Sequence, residues 1–460
     1  MDIKEITAKE RLASDVIADL TAKQIKVTPW GVLEKEYDPK KHPVNTDPGY
    51  LDIVKGNQID RMTRITLPFQ KLAVKRMAEL AFAIPVKRVY SITDNEQQQT
   101  ARKIIEAIYK KNRIDAENIK RGKYLYASCE VCTLWYTQPM PTIYAGNKSQ
   151  LKLRCKSYSP MCGDALYPLF DEYDDMIALS VKYRRTENNK TVEYLDTYTE
   201  TEHIRWRMDG SDIVEELREQ IKLGKIAGVY AYKDEPIWED QSGNIFEAEW
   251  TLSRNGNYIR KNAKPNWVVF SDEGVTFGDE KIGNQEGRNV LQYPANAKAE
   301  YVTWQQATES IKFHIEQLTS IFFKSLQLPD MSMENMKTTP MSGEARKMMF
   351  IDAQLKVNDE KEVWLEFFNR EFSVVREYAK LMFPSLAQAF DALSVDIEIT
   401  PFTINDESET ISNLSAATGG KAIMSQRTAI ENLGYVDDTE EELMRINEES
   451  EVNLFNTPTI

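Results

Sequence analysis

Between Thr303 and Met382 the chain carries two long stretches of helical apolar spacing with one interruption, and any fold must house both. Trp304, Ile311, Ile315, Leu318, Phe322 and Ser325 recur at intervals of three, four and seven, which predicts a helix over Thr303–Leu326 with one apolar face. After the break, Ala345, Met348, Met349, Leu355, Trp364, Leu365, Phe367, Phe368, Phe372 and Val375 predict a second helix running to Met382 with neither Pro nor Gly inside. Roughly forty residues at 1.5 Å each span about 60 Å. Helices of that length usually cross a large assembly or pack against copies of themselves. Pro384 stops the helix. The intervening segment, polar and rich in Met, reads as a flexible loop held at a functional opening.

A chain of 460 residues has room for two to four domains. No run of about 18 uncharged apolar residues predicts a membrane span. The charge-alternating start, Met1 to Glu10, lacks the apolar core of a secretion signal, so synthesis and function in a cytoplasm are the expectation. The net charge is −14, and residues 401–460 hold twelve acidic side chains against Lys421, Arg427 and Arg445. A tight binder of DNA phosphates needs a basic surface, which this chain lacks. A conduit for DNA is compatible with it, because acidic walls keep a sliding polyanion off the surface.

Cys129 and Cys132 form a Cys-x-x-Cys pair, with Cys155 and Cys162 following. Four thiols could build a tetrahedral zinc site, although the second pair is spaced too widely for the usual pattern. Buried free thiols in a reducing cell are the plainer reading.

The chain reads as α+β. Residues 1–60 hold one short helix, about Lys9–Ala22, and a polar arm or extended segment containing His42-Pro43 and Asp47-Pro48-Gly49. A helix should open at Pro68 and end near Pro85, a strand should cover Val86–Ile92, and Asp94 should cap a helix whose Ile104, Ile105 and Ile108 face inward. A third helix is expected over Ala116–Tyr126. Val131–Gln138, Leu151–Tyr158, Met176–Arg184, Thr191–Thr199 and His203–Met208 predict an antiparallel, half-exposed sheet with a hairpin turn at Glu187-Asn188-Asn189-Lys190. From Ser242 a helix should run past Phe246 and Trp250 to Ile259, weakened by Gly256 and ended by Pro265. Residues 266–299, with Gly274, Gly278, Gly283 and Gly287, Trp267–Phe270 and Asn289–Leu291, read as a small insertion between helices.

Enzyme signatures are missing. No phosphate-binding glycine loop occurs, which disfavours a motor ATPase. His42, His203 and His314 lie far apart, without metal spacing or a hydrolase pattern. Asp174-Asp175, Asp437-Asp438 and Glu440-Glu441-Glu442 read as solvated faces or caps. The loop carries Lys337, with Lys324 before it and Arg346 and Lys347 after it. On one copy these are ordinary surface cations. In a ring of identical subunits each would repeat around the bore, and Met331, Met333 and Met336 would add adaptable apolar contacts.

The element order, the Ser342-Gly343-x-Ala345-x-Lys347 segment heading the long helix, and the ending from Gly420 to Glu442 resemble the portal proteins of tailed double-stranded DNA bacteriophages, from about residue 60 onward. In that ending a Ser425-x-x-Thr428-Ala429 helix start precedes Asp437-Asp438 and further acids. The resemblance implies an N-terminal arm and wing over 1–240, stem helices over 241–264 and 301–326, and a small α/β clip over 265–300. A tunnel loop over 327–341, a long helix returning to the wing over 342–402, and a helical crown over 403–460 complete it. It implies a homo-oligomeric ring of about twelve copies at one capsid vertex, in the virion, assembled in the bacterial host cytoplasm. The implied partners are double-stranded DNA passing through the channel, the terminase large subunit, the head–tail adaptor, and the major capsid and scaffolding proteins, with no membrane, no cofactor and no enzyme activity. Met331, Met333, Asn335, Met336, Lys337 and Thr338 would face DNA, flanked by Lys324, Ser342, Gly343, Arg346 and Lys347. Another capsid or tail component is the first alternative, and a zinc or enzymatic protein built on the four cysteines the second.

Overall fold

The computed structural model describes residues 3–55, 58–91, 95–187, 189–210, 212–262, 266–270, 298–302, 308–328, 348, 350–402, 407–419, 421–436 and 439–455. They fall into two units, one of residues 1–328 with 356–401 and one of 329–355 with 402–460.

The first unit is built around two antiparallel sheets. Ala165–Phe170, Met176–Glu187, Lys190–Tyr198, Glu202–Asp209 and Asp212–Gln220 form a five-stranded meander in chain order. Glu130–Gln138 lies between Gly228–Tyr232 and Lys152–Tyr158 in a three-stranded sheet. The predicted turn is where the pattern put it: Glu187 pairs with Lys190, and Asn189 sits at φ 62°, a conformation Asn tolerates better than most residues.

Alternation along the strands sends side chains to two cores. Leu179, Val181, Tyr183, Val192 and Tyr194 meet Cys132, Leu134, Tyr158 and Tyr230 of the three-stranded sheet. The opposite face, with Ala178, Leu195, Ile204 and Trp206, is covered by Ile6, Val16 and Leu20 from helices Ile3–Ile6 and Ala13–Leu20. The expected half-exposed sheet is therefore covered on both faces where these helices lie. A single strand pattern cannot announce a cover supplied from 150 residues away.

Behind the three-stranded sheet pack helices Phe69–Phe82, Glu96–Asn112, Ile114–Ser128 and Lys361–Met382. Trp364 meets Phe82 edge to face at 4.8 Å and donates to the Tyr126 hydroxyl at 3.0 Å. At the centre Arg121 and Glu371, both fully buried, pair at 2.7 Å. Arg121 also donates to Asn118 at 2.9 Å, and Trp135 Nε1 donates to Glu371 at 3.2 Å. This buried pair ties helix Lys361–Met382 to the first half of the chain. Lys87–Ser91 and Ser394–Glu398 add a two-stranded sheet across a still longer span of sequence.

Several expectations change. The helix predicted from Ala345 to Met382 is divided into Ile351–Asp359 and Lys361–Met382, with Glu360 between them at ψ −6° and its carboxylate 2.5 Å from Lys233 Nζ. Asn358 and Asp359 favour turns over helix interiors, which locates the break. Asn95, not Asp94, caps helix Glu96–Asn112 by accepting from Gln97 N at 2.9 Å; Asp94 lies outside the described residues. The polar arm is helical in large part, through Trp30–Tyr37, Pro39–Lys41, Pro43–Thr46 and Pro48–Tyr50. Strands Ala165–Phe170, Asp212–Gln220 and Gly228–Tyr232 went unread, the first hidden by Pro168, the second by its charges, and the third by its length.

The second unit contains helices Glu407–Thr418, Gln426–Leu433 and Thr439–Phe455. Ser425 caps the middle one by accepting from Thr428 N at 3.2 Å, and Gly434 ends it at φ 69°. Arg427 bridges Glu431 and Glu440 at 3.2 and 2.8 Å.

Candidate functional site

Helices Ser242–Asn262 and Thr308–Ser325 are the two elements that carry the expected channel segments, and each is positioned by a distinct device. Strands Asn266–Phe270 and Lys298–Val302 pair antiparallel between them, closing the neck of the insertion. Asn289–Leu291, inside that insertion, lies outside the described residues.

The first helix is held by a polar ladder. Glu249, Ser253 and Asn257 accept from the backbone N–H groups of Leu67, Ile65 and Thr63 at 2.6, 2.9 and 2.7 Å. Four helical residues rise about 6 Å and two extended residues about 6.7 Å, so i, i+4 side chains match i, i+2 amides. The chain over 63–67 is thereby strapped along the helix. Gly256 permits it: a Cβ there would meet Thr63 Cγ2 at 2.8 Å. Far from weakening a continuous helix, this glycine admits the strap.

His42 locks the same junction. Its Nδ1 lies 2.7 Å from Glu249 Oε1 and its Nε2 2.7 Å from the Glu36 carbonyl, with both side chains fully buried. Both ring nitrogens lie within hydrogen-bond distance of an oxygen, so the ring is held from two sides. Tyr50 packs edge to face on Trp250 at 4.8 Å, and Asn257 Nδ2 donates to the Tyr50 hydroxyl. Sequence reading passed over this network. Its one available signal was the i, i+4 spacing of the polar residues Glu249, Ser253 and Asn257.

The second helix is anchored at its C-terminal end. Phe322 stacks on Phe69 at 5.4 Å, and Arg76 lies 5.0 Å over the Phe323 ring. Phe322, on the apolar face read from the sequence, is buried in its own chain. The helix then stops sharply: Gln327 adopts φ 54°, Gln327 N donates to Lys324 O at 3.1 Å, and Leu328 N donates to Phe323 O at 3.1 Å. This is a Schellman motif with a non-glycine residue at its left-handed position, sealed by burial of Phe323 and Leu328. Pro329 follows in the sequence and cannot extend the helix.

Away from these anchors the helices are poorly covered. Phe313 is 63% exposed and Ile321 43% exposed, while Ile311, Ile315 and Leu318 are half-buried. Trp304 lies outside the described residues. So do Met331, Met333, Asn335, Met336, Lys337, Thr338, Ser342, Gly343, Arg346 and Lys347. Lys324 and Glu309 are exposed. His314 lies on a helix face 3.7 Å from Glu247, as an ordinary polar residue would.

The cysteines do not converge. Cys132 pairs with Tyr158 and Cys155 with Trp135 across the same two strands, an odd offset that sends the two thiols to opposite faces. Cys129 terminates helix Ile114–Ser128 at φ 62°, and Cys162 is exposed beyond the sheet. Burial pushes the Cys129 and Cys155 thiols up to about 12 and raises Cys132 as well, keeping them protonated where a zinc ligand must be thiolate. Among the described residues no group of three His, Cys, Asp or Glu is placed to hold a metal, and no helix is long and apolar enough to cross a membrane.

The most strongly perturbed carboxylate is likewise structural. Burial opposes ionisation of Asp196, yet the Arg205 fork at 2.8 and 2.9 Å and the nearby His203 hold its carboxyl at about 2. His203, stacked on Tyr198 at 4.4 Å, lies between Asp196 and Glu219 within the sheet.

A family model described as phage portal protein, SPP1 Gp6-like, matches residues 33–453. Among solved structures, a chain in the virion of a native gene transfer agent particle is similar at 8% identity and TM-score 0.42, covering 91% of this chain and 97% of that one. A chain in the neck of an empty particle of this agent, computed with C6 symmetry, is 9% identical at TM-score 0.42, covering 80% and 90%. One in the neck of the native particle, computed with C12 symmetry, is 9% identical at TM-score 0.39, covering 91% and 98%. No curated protein matches the chain in sequence.

Proposed function

The chain belongs to the SPP1 Gp6-like phage portal protein family, and from that premise we propose that it forms a ring of about twelve copies at one capsid vertex, through which double-stranded DNA enters and leaves the head. The carrying observation is the family match across residues 33–453. The half-covered helices Ser242–Asn262 and Thr308–Ser325 support the reading, because their uncovered apolar side chains suit a protein whose stem is finished by its neighbours.

In this reading the role is structural and not catalytic. Residues 265–300 form the clip that docks the terminase large subunit and later the head–tail adaptor, and the wing meets the major capsid and scaffolding proteins. Assembly takes place in the host cytoplasm and the product resides in the virion. The segment 327–341 faces the axis, launched by the sharp helix stop at Gln327. Met331, Met333, Asn335, Met336 and Thr338 line the bore, Lys337 contacts phosphate, and Lys324, Ser342, Gly343, Arg346 and Lys347 flank it. Contacts to the DNA backbone carry no sequence information, so passage is indifferent to sequence. The acidic balance of the chain keeps them weak.

Native mass spectrometry and negative-stain microscopy of the purified protein test the reading. A ring of about twelve copies with a central hole is expected. A chain that forms no ring, alone or with capsid and scaffolding proteins, would overturn it. Within an assembled ring, Lys337→Ala should impair packaging or DNA retention, and unchanged packaging would remove that residue from the bore.

A further inference from the structure

We propose that the stem closes head to tail through a contact between the hairpin Ile53–Asp60 of one subunit and helix Thr308–Ser325 of the next, with Val54 and Ile59 packing on Phe313. This rests on the ring reading above and supplies it with a defined contact.

Val54 and Ile59 are cross-strand partners and so share one face of the hairpin. They are 68% and 59% exposed. Ile53 and Asp60 form the adjacent pair on the opposite face, and Asp60 is held by Arg260 of helix Ser242–Asn262 at 3.0 Å. The hairpin thus turns the face of Asp60 to its own helix and the face of Val54 and Ile59 outward. A two-stranded hairpin is marginal alone in water and gains most from a surface that covers such a face.

The arrangement of layers favours a second copy over other occupants. Strap and hairpin lie on one side of helix Ser242–Asn262, through Glu249, Ser253 and Asn257. Glu247, which faces His314 of helix Thr308–Ser325, lies roughly 120° round the helix from Ser253. Helix Thr308–Ser325 in turn presents Ile311, Ile315 and Leu318 on its less exposed face, with Phe313 roughly 160° away from Ile311. The two uncovered patches therefore stand at different margins of one three-layer slab. Two unlike patches at separate margins are what a heterologous, ring-closing contact requires; a two-fold contact would need one self-complementary patch.

Charge agrees with this. Arg61 is exposed beside the hairpin and Glu309 is exposed one turn before Phe313, and neither forms an ion pair among the described residues. Docking Val54 and Ile59 on Phe313 brings opposite charges to the rim, where they set register and partner choice more than affinity.

The test uses the full-length chain and native mass spectrometry at fixed concentration. Val54→Glu should abolish the ring while leaving the circular dichroism and melting temperature of the subunit unchanged. Arg61→Glu and Glu309→Arg should each lower the ring fraction, by about tenfold in association constant, and the double exchange should restore it. In a Cys162→Ser background, Ile59→Cys with Phe313→Cys should give a ladder of covalent multimers on oxidation, since the two positions of one subunit lie on different margins. Intact rings in Val54→Glu and Arg61→Glu, with no cross-linked ladder, would overturn the contact and leave the ring reading standing. Intact rings that fail only to enter capsids would reassign the hairpin to a capsid contact. A wild-type chain that forms no ring would instead remove the ring reading itself.

Discussion

The regions proposed as wing and stem, both within the first unit, solve the burial problem in opposite ways. In the wing, sheet and helices close on one another until even a guanidinium and a carboxylate, Arg121 and Glu371, are removed from water and paired. The stem helices are secured at discrete points, by the strap ladder and by the Phe69–Phe322 stack, and between those points leave Phe313, Ile321 and Tyr258 in solvent. The lesson is that one chain can hold a region complete in itself beside another whose apolar surface awaits a second molecule. Exposed apolar side chains mean least when scattered and most when they recur on elements already fixed in place.

Substitutions can break that contrast or sharpen it. The largest effect is expected from Glu371→Ala, which strands Arg121 uncompensated in the wing and should cost about 4 kcal/mol in urea unfolding. A loss near zero would mean that the wing core is wetter than its packing indicates. Next comes a matched pair on one helix. Phe322→Ala removes a buried ring and should cost about 3 kcal/mol, whereas Phe313→Ala should change subunit stability by less than about 0.5 kcal/mol. Equal costs would erase the distinction between anchored and open stem.

The third prediction concerns acid. Because the folded-state pKa of Asp196 is depressed, to about 2, its contribution is present above the unfolded value near 3.9 and is lost as pH falls through that window. On the order of 2 kcal/mol of wing stability should disappear between about pH 4 and pH 2, and Asp196→Asn should flatten that part of the pH profile. Circular dichroism melts across this range decide it. The smallest effect belongs to the helix stop: Gln327→Gly relieves a left-handed non-glycine residue and should add up to about 1 kcal/mol. A loss would show that the Gln327 side chain contributes more than its backbone strain costs.

Much of the architecture was legible because local patterns were strong. Phe69–Phe82, Glu96–Asn112 and Ser242–Asn262 follow apolar periodicity and Pro, Asn or Ser starts, and Glu187–Lys190 follows turn chemistry. The helix break at Glu360 was only faintly marked, by Asn358 and Asp359 and by no Pro or Gly. The burial of His42 was not legible, since a histidine beside a proline in a polar stretch looks the same whether or not a Glu249 lies 207 residues away. For the candidate site the sequence set out the two stem helices and the segment between them, while the strap, its ladder and the role of Gly256 arose from pairing distant residues.

By itself, then, the sequence determined the α+β class, the place of helices Ser242–Asn262 and Thr308–Ser325 and the membership in a portal family, because periodicity, caps and motif order are properties of neighbouring residues. Only the tertiary structure decided that Cys132 and Cys155 face opposite ways, that part of the five-stranded sheet is covered on both faces, and that the apolar surface of helix Thr308–Ser325 divides into an anchored and an open part. Those outcomes depend on which distant side chain arrives at a given face, and local physical chemistry leaves that choice to the packing of the whole.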